Sequence, residues 1–593
     1  MGLWQAIGTA DSALMSMKPL TNSRVAVRLP GPRPLVALAA LLLAACAGTP
    51  LPPWPSQQAR VVPPPRSAPA DAPQAGTAEQ DAGAIGAAVV PAQELPAPAP
   101  LESPAVAALF PDPPVRYDTP GLQPDRRSWT TNAELAQWLE GLSRSTSGNM
   151  RVELLRAGKT QNDLPLLALA LGEARDGRTL TGNGRPTVLL VGQQHGDEPA
   201  SSEALLVIAR ELSQGLLAPM LQRINVIIVA RANPDGADSG AHATADGTDL
   251  ARDHLALQTP EARAIAQLVR DYRPAVVTDV HEYPVQALAT PMGELLPAQD
   301  VLVQGANTAN VPEFIGKATR EWYLQPLLQS LQGQGLTQEW QYALSDAGEG
   351  LTATAGDTTP ESLHNLAALG NAVGLSLASR GGAALERAHA QRRVHSLVVA
   401  LTSVLKSTAE RSADLLQVQS FVARDIASHA CQGMLTVQAA PAVAEHQLRL
   451  LDATSGELRP VQVRWISSQA LRPELERPRP CGYWFTQDSI AAERLGLLGL
   501  QVMRVAEEGS ILAESFAGPA GGPPGSHQPL RMSIDAPAGS HYVGMNQPLA
   551  NVAAAALEPS TAFSYQARGI LPNTPGASAR VLNNPSLVFE VSE

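Results

Sequence analysis

The sequence predicts an α/β fold: a central mixed, mostly parallel sheet with helices on both faces, followed by a smaller C-terminal mixed or β-rich domain. Three observations predict it. Short apolar runs at residues 164–171, 187–191, 224–230 and 275–280 have the length of buried strands and end in polar or Gly/Pro punctuation. Helical periodicities over 201–212 and 260–270 fall between them, the alternation that builds a sheet covered on both sides. Past a helical stretch at 391–408 the texture changes to shorter runs at 448–451, 462–466, 497–505 and 587–591, several separated by Gly/Pro turns. The length of 593 residues suits two cores plus linkers. Lys and Arg number 43 against 55 Asp and Glu, a net charge of −12 with no basic stripe, which argues against nucleic acid as the main partner.

Taken in order, the chain opens with Arg24, Arg28 and Arg33 ahead of an apolar run at 35–45, a charged n-region followed by an h-region. The run is too short to span a bilayer, which takes ~20 residues. It ends Leu43-Ala44-Ala45-Cys46, which resembles a bacterial lipobox. Residues 1–46 are therefore expected to be a lipoprotein signal peptide and Cys46 the lipidated first residue of the mature chain. A start at Met17 gives a more compact n-region. Ala47 in place of aspartate resembles lipoproteins sorted to the outer membrane, so the expected location is the cell envelope, facing the periplasm. Residues 47–114 are rich in Pro and Ala and lack apolar periodicity, which predicts an extended linker and accounts for many of the 51 prolines. The first helix is expected around Asn132-Ala133-Glu134-Leu135, behind an Asn/Thr cap. The larger domain is assigned to 115–409 and the accessory domain to 410–593. Cys431 and Cys481 either pair, as an oxidising compartment permits, or stand as buried thiols.

Ligand-type residues fall where the expected strands end, the place where open α/β sheets bind ligands. The run 187–191 leads into His195-Gly196-Asp197-Glu198, and 275–280 leads into His281-Glu282-Tyr283. His195 and Glu198 are three apart, so a tight turn or helix start lets the imidazole and carboxylate converge on one cation. With His281 they form a His₂Glu set that leaves a fourth position open, as a catalytic zinc site requires. Two imidazoles favour zinc over magnesium, and one ion is expected. The chain has no internal repeat, no phosphate-cradling Gly-Lys loop and no Gly-x-Ser-x-Gly elbow.

His195-Gly196-Asp197-Glu198, Ala232-Asn233-Pro234-Asp235-Gly236, Asp249-Leu250-Ala251-Arg252 and Asp279-Val280-His281-Glu282 together resemble the zinc carboxypeptidase, or funnelin, family over residues 115–405. The resemblance implies zinc held by His195, Glu198 and His281. It also implies hydrolysis of a C-terminal peptide bond or related amide by a zinc-bound water; in the expected compartment, cell-wall or other small peptides are the candidate substrates. Segments around Cys481, His541 and Gln547 resemble a tail carried by some bacterial members. Three positions depart from the family pattern. Ala251 stands where an asparagine helps Arg252 grip the substrate carboxylate, leaving Arg252 as the substrate-binding residue. His242 aligns with an arginine that polarises the scissile carbonyl. Ala378 aligns with the glutamate that serves as general base, and Glu282, Glu339 and Glu361 are the carboxylates that could replace it. These departures motivate an alternative reading, a zinc-binding protein that recognises peptide or carboxylate ligands without efficient turnover.

Overall fold

The computed structural model describes residues 102–144, 150–173, 180–346, 350–381, 387–517 and 528–590. The expected signal peptide, Cys46 and the linker up to residue 101 lie outside them. Along the chain run β1 (Met150–Lys159), β2 (Pro165–Glu173), β3 (Thr187–Gly192), β4 (Asn225–Val229), β5 (Val276–Tyr283), β6 (Leu288–Thr290), β7 (Gly293–Pro297), β8 (Val301–Gly305), β9 (Gln338–Trp340), β10 (Tyr342–Asp346), β11 (Leu351–Ala355), β12 (Val373–Arg380), β13 (Met434–Asp452) and β14 (Leu458–Pro478). The central sheet has the order β1-β2-β4-β3-β5-β12-β8-β9. Its middle pairs β4/β3, β3/β5 and β5/β12 are parallel, whereas β1/β2, β2/β4 and β12/β8 are antiparallel.

The apolar runs are continuous because both faces are buried. Leu190 and Ile228 pack with Leu205, Ile208, Leu397 and Leu401 of helices Pro199–Gln214 and Ala390–Glu410. Their chain neighbours Leu189 and Ile227 turn to the other face, against Ile265 and Leu268 of helix Pro260–Tyr272, as the two-residue period of a strand dictates. The first helix, Asn132–Ser143, starts at a capping box in which Thr131 and Glu134 satisfy each other's backbone N–H groups.

Two expected boundaries are corrected. The folded body begins by residue 102 rather than 115. Glu102 pairs with Arg380 and His389, and Val106 and Phe110 are buried, so this stretch folds although its composition continues the linker. The strand expected at 275–280 continues to Tyr283, which places His281 and Glu282 inside β5 on opposite faces. The runs at 448–451 and 462–466 are fragments of the much longer β13 and β14, whose polar positions interrupt the apolar pattern. The run at 497–505 divides between the end of helix Ser489–Leu497 and strand Met503–Glu507.

β13 and β14 form a hairpin that joins β10, β11, β7 and β6 in a second sheet of order β10-β11-β14-β13-β7-β6. This sheet therefore mixes strands from both sides of residue 410, and the described residues from 102 to 590 fall in one compact unit. Leu448, Leu450, Val463 and Trp465 of the hairpin share an apolar cluster with Tyr283, Leu302 and Ala378 of the central sheet. A third sheet of seven strands is built from residues 482–589.

Of the two states open to the cysteines, the structure holds the disulfide. Cys431–Cys481 bridges a sequence separation of 50 residues across the base of the hairpin. Closing a loop of that length in the unfolded chain corresponds to about 4 kcal/mol in the chain-entropy model. Reduction, or Cys431→Ala with Cys481→Ala, is expected to lower the urea-unfolding free energy by 2–4 kcal/mol, in the typical range for a disulfide.

Candidate metal centre

The loop after β3 is shaped by its glycine. A Cβ on Gly196 would stand 2.0 Å from the carbonyl carbon of Gly236 and 2.5 Å from the nitrogen of Ala237, so only glycine allows the two turns to touch. Asn233 secures the other side. Its Nδ2 donates to the carbonyls of Gln194 (3.2 Å) and Ala243 (3.1 Å), and its Oδ1 accepts from Gly236 N (2.9 Å). The Asn-Pro-Asp-Gly stretch is thus the scaffold of the His195 loop. Glu198 sits at the N-cap position of helix Pro199–Gln214.

His195, Glu198 and His281 come together as expected. His195 Nδ1 lies 2.7 Å from Glu198 Oε1 and His281 Nδ1 lies 2.9 Å from Glu198 Oε2, and one ligand atom from each residue fits within a 4.8 Å cluster. The outer ring nitrogens are held by carboxylates: His195 Nε2 is 3.0 Å from Asp249 Oδ1, and His281 Nε2 is 2.9 Å from Asp279 Oδ1. This is the second layer that orients metal-binding imidazoles and fixes their tautomer. A largely buried His₂Glu set with both Nδ1 atoms aimed at one point fits a zinc ion. Burial alone would strip the charges from these groups, but mutual attraction prevails. Glu198 is held down at about 2 against its burial by His195 and His281, and His195 is raised to about 9 by Glu198 and Asp249 despite its burial.

Asp279 is the residue that ligand counting missed. It stands two positions before His281 on β5, hence on the same face; that spacing was the available signal. Burial opposes its charge, yet His281 and His364 keep it well below the usual carboxylate range. It also accepts from Gln194 Nε2, and Gln194 Oε1 lies 2.5 Å from His254 Nε2. Asp279→Asn is expected to weaken zinc binding about 10–100-fold in a chelator competition titration.

The remaining expected residues divide. Arg252 is half exposed beside the cluster; its Nη1 donates to Thr359 Oγ1 at 3.2 Å and lies 3.4 Å from Asp357 Oδ1. Ala251 contributes only its backbone N–H, bonded to Asp249 Oδ1 at 3.0 Å. His242 stacks on His195 with ring centres 3.7 Å apart, and its Nδ1 is 3.1 Å from Asp197 Oδ1. Ala378 lies directly beside His281 in register and is buried in the apolar cluster under the hairpin.

None of the three candidate carboxylates replaces the missing glutamate. Glu282 points to the opposite face, where Oε1 accepts from Ala200 N (2.6 Å) and Oε2 from Arg393 Nε (2.8 Å). Glu361 is paired with Arg568. Glu339 shares a lateral row with Leu302, Ala378 and His281 across β9, β8, β12 and β5; three strand spacings put it about 14 Å from His281, beyond reach.

Fold and site define a metallohydrolase with a His₂Glu centre at a mixed α/β sheet. Residues 135–258 match the zinc carboxypeptidase family model. The chain is 25% identical over 417 residues to Carboxypeptidase 2 of Trichophyton rubrum, covering 66% of this chain and 74% of that protein. It is 29% identical over 178 residues to Carboxypeptidase SOL1 of Arabidopsis thaliana, covering 28% and 35%. Among solved structures it resembles the metallo-carboxypeptidase of Burkholderia cenocepacia at 19% identity and a TM-score of 0.33, over 46% of this chain and 68% of that one. The likeness to zinc carboxypeptidases is thus carried by residues 135–258, which include His195 and Glu198.

Proposed function

We propose that the protein removes C-terminal residues from short peptides at the bacterial cell envelope, held to the membrane by lipid on Cys46. The observation that carries the peptidase reading is the convergence of both imidazole Nδ1 atoms on Glu198, backed by Asp249 and Asp279. When bound, zinc supplies a Lewis acid and lowers the pKa of a water. The chain's own residues do the rest. Asp249 and Asp279 fix the ring orientations, and Arg252 offers a forked cation to the substrate carboxylate. Cell-wall peptides are substrates consistent with the compartment that the N-terminal sequence suggests. Among the described residues no helix is long and apolar enough to cross a membrane, so the anchor in this reading is the lipid.

Ala378 favours a second reading, ligand recognition with little turnover, because no described carboxylate occupies its place. A peptide library with free or amidated C-termini separates the two. The peptidase reading expects zinc-dependent release of C-terminal residues, with amidated peptides cleaved at least tenfold less well. Arg252→Gln is expected to raise KM about tenfold for free-carboxylate peptides with kcat nearly unchanged, as loss of uniform binding requires. Saturable peptide binding with no release above the His195→Ala background supports the second reading instead.

A further inference from the structure

A cavity of about 450 Å³ lies apart from the zinc ligands, between helices Pro260–Tyr272, Leu363–Leu369, Ser412–Ser428 and Ala550–Leu557. Its walls therefore come from both the carboxypeptidase segment and the C-terminal segment. The volume is that of a small-molecule site. Val269, Leu366, Leu498, Leu549 and Val552 make the interior apolar, and the lining holds two exposed cations, Arg270 and Arg273, with no aspartate or glutamate. Outside the lining, Asp271 pairs with Arg270, its Oδ1 3.5 Å from Arg270 Nε.

We propose that this cavity binds an aliphatic carboxylate, its chain in the apolar interior and its carboxylate between Arg270 and Arg273. The charge pattern decides among amphiphiles. Two guanidiniums repel an ammonium and pair with a carboxylate in forked geometry. Polar side chains, Asn371, Gln419, Gln501 and Gln547, also line it, but the walls are mostly apolar, so an aliphatic chain gains more from burial there than a wholly polar ligand would. The wall also includes His254, which reaches Gln194 and through it Asp279, so an occupant would sit one hydrogen-bonded chain away from the zinc ligand His281.

The test is calorimetric titration of the full chain with octanoate, 1-octanol and octylammonium at low and high salt. Octanoate is expected to bind at least tenfold tighter than octylammonium, with the gap narrowing as salt screens the arginines. Combining Arg270→Gln with Arg273→Gln should abolish that preference. Ala423→Phe and, independently, Ala367→Phe should weaken octanoate at least tenfold by filling the space. His195→Ala should bind octanoate as the parent does, which separates this site from the metal centre. Absence of octanoate binding, or equal affinity for octanoate and octylammonium, overturns the proposal. So does binding that survives both phenylalanine variants. Should a phenylalanine variant not fold, the charge preference and its loss in the double arginine variant still decide.

Discussion

Replacing His281 with alanine is expected to reduce bound zinc from about one ion per chain to a small fraction, and to reduce peptide hydrolysis to background. Two protein ligands do not hold a catalytic zinc against water, and β5, locked between β3 and β12, brings no other ligand into the place of His281. The variant also leaves the buried Asp279 without its closest cation. Removing one partner of a buried pair costs about 3–5 kcal/mol, so the fold should weaken as well. Elemental analysis after gel filtration, read beside an unfolding curve, distinguishes metal loss from global unfolding. One zinc per folded variant chain would show that the ligand set is wrong.

The second large effect concerns Ala378. Ala378→Glu puts a carboxylate on the strand next to His281, one strand spacing of about 4.8 Å away and on the same face. If water activation limits the enzyme, kcat should rise about 10²–10⁴-fold, the usual worth of a positioned general base. The substitution carries a cost, because Ala378 is packed with Tyr283, Leu302 and Trp465 in the cluster beneath the hairpin. Overpacking a core costs about 1–3 kcal/mol. The expected signature is therefore a faster and less stable enzyme. An unchanged kcat in a folded, zinc-loaded variant would mean that proton removal is not the limiting step.

Much of this was legible in the sequence, for physical reasons that differ from element to element. β3 and β4 were readable because strands buried on both faces are apolar at every position, and the helix Pro260–Tyr272 because Thr259, Pro260 and a periodic face mark its start. His195, Glu198 and His281 stood out because few side-chain types ligate zinc and these fall where strands end. β13 and β14 were not readable at full length, since their middles carry polar residues such as Gln438, Glu445 and His446. Residues 102–114 hid inside a proline-rich composition, where one buried Phe110 gives no periodicity. The burial of Ala378 could not be foreseen either, because the strands that cover it come from beyond residue 430.

The hairpin has a consequence in time. The central sheet is complete once Arg380 has been synthesised, but the strand that finishes its cover ends at Pro478. At ordinary elongation rates the interval is roughly 5–20 s. Through that interval the row beside His281 faces solvent, and the disulfide that clasps the hairpin cannot form until Cys481 has emerged. The metal centre is thus among the earliest parts of the molecule to be made and among the last to be enclosed. A nascent chain that stalls between 381 and 478 would present an open apolar sheet next to a cation-binding cluster, a form that the cell must shield or discard.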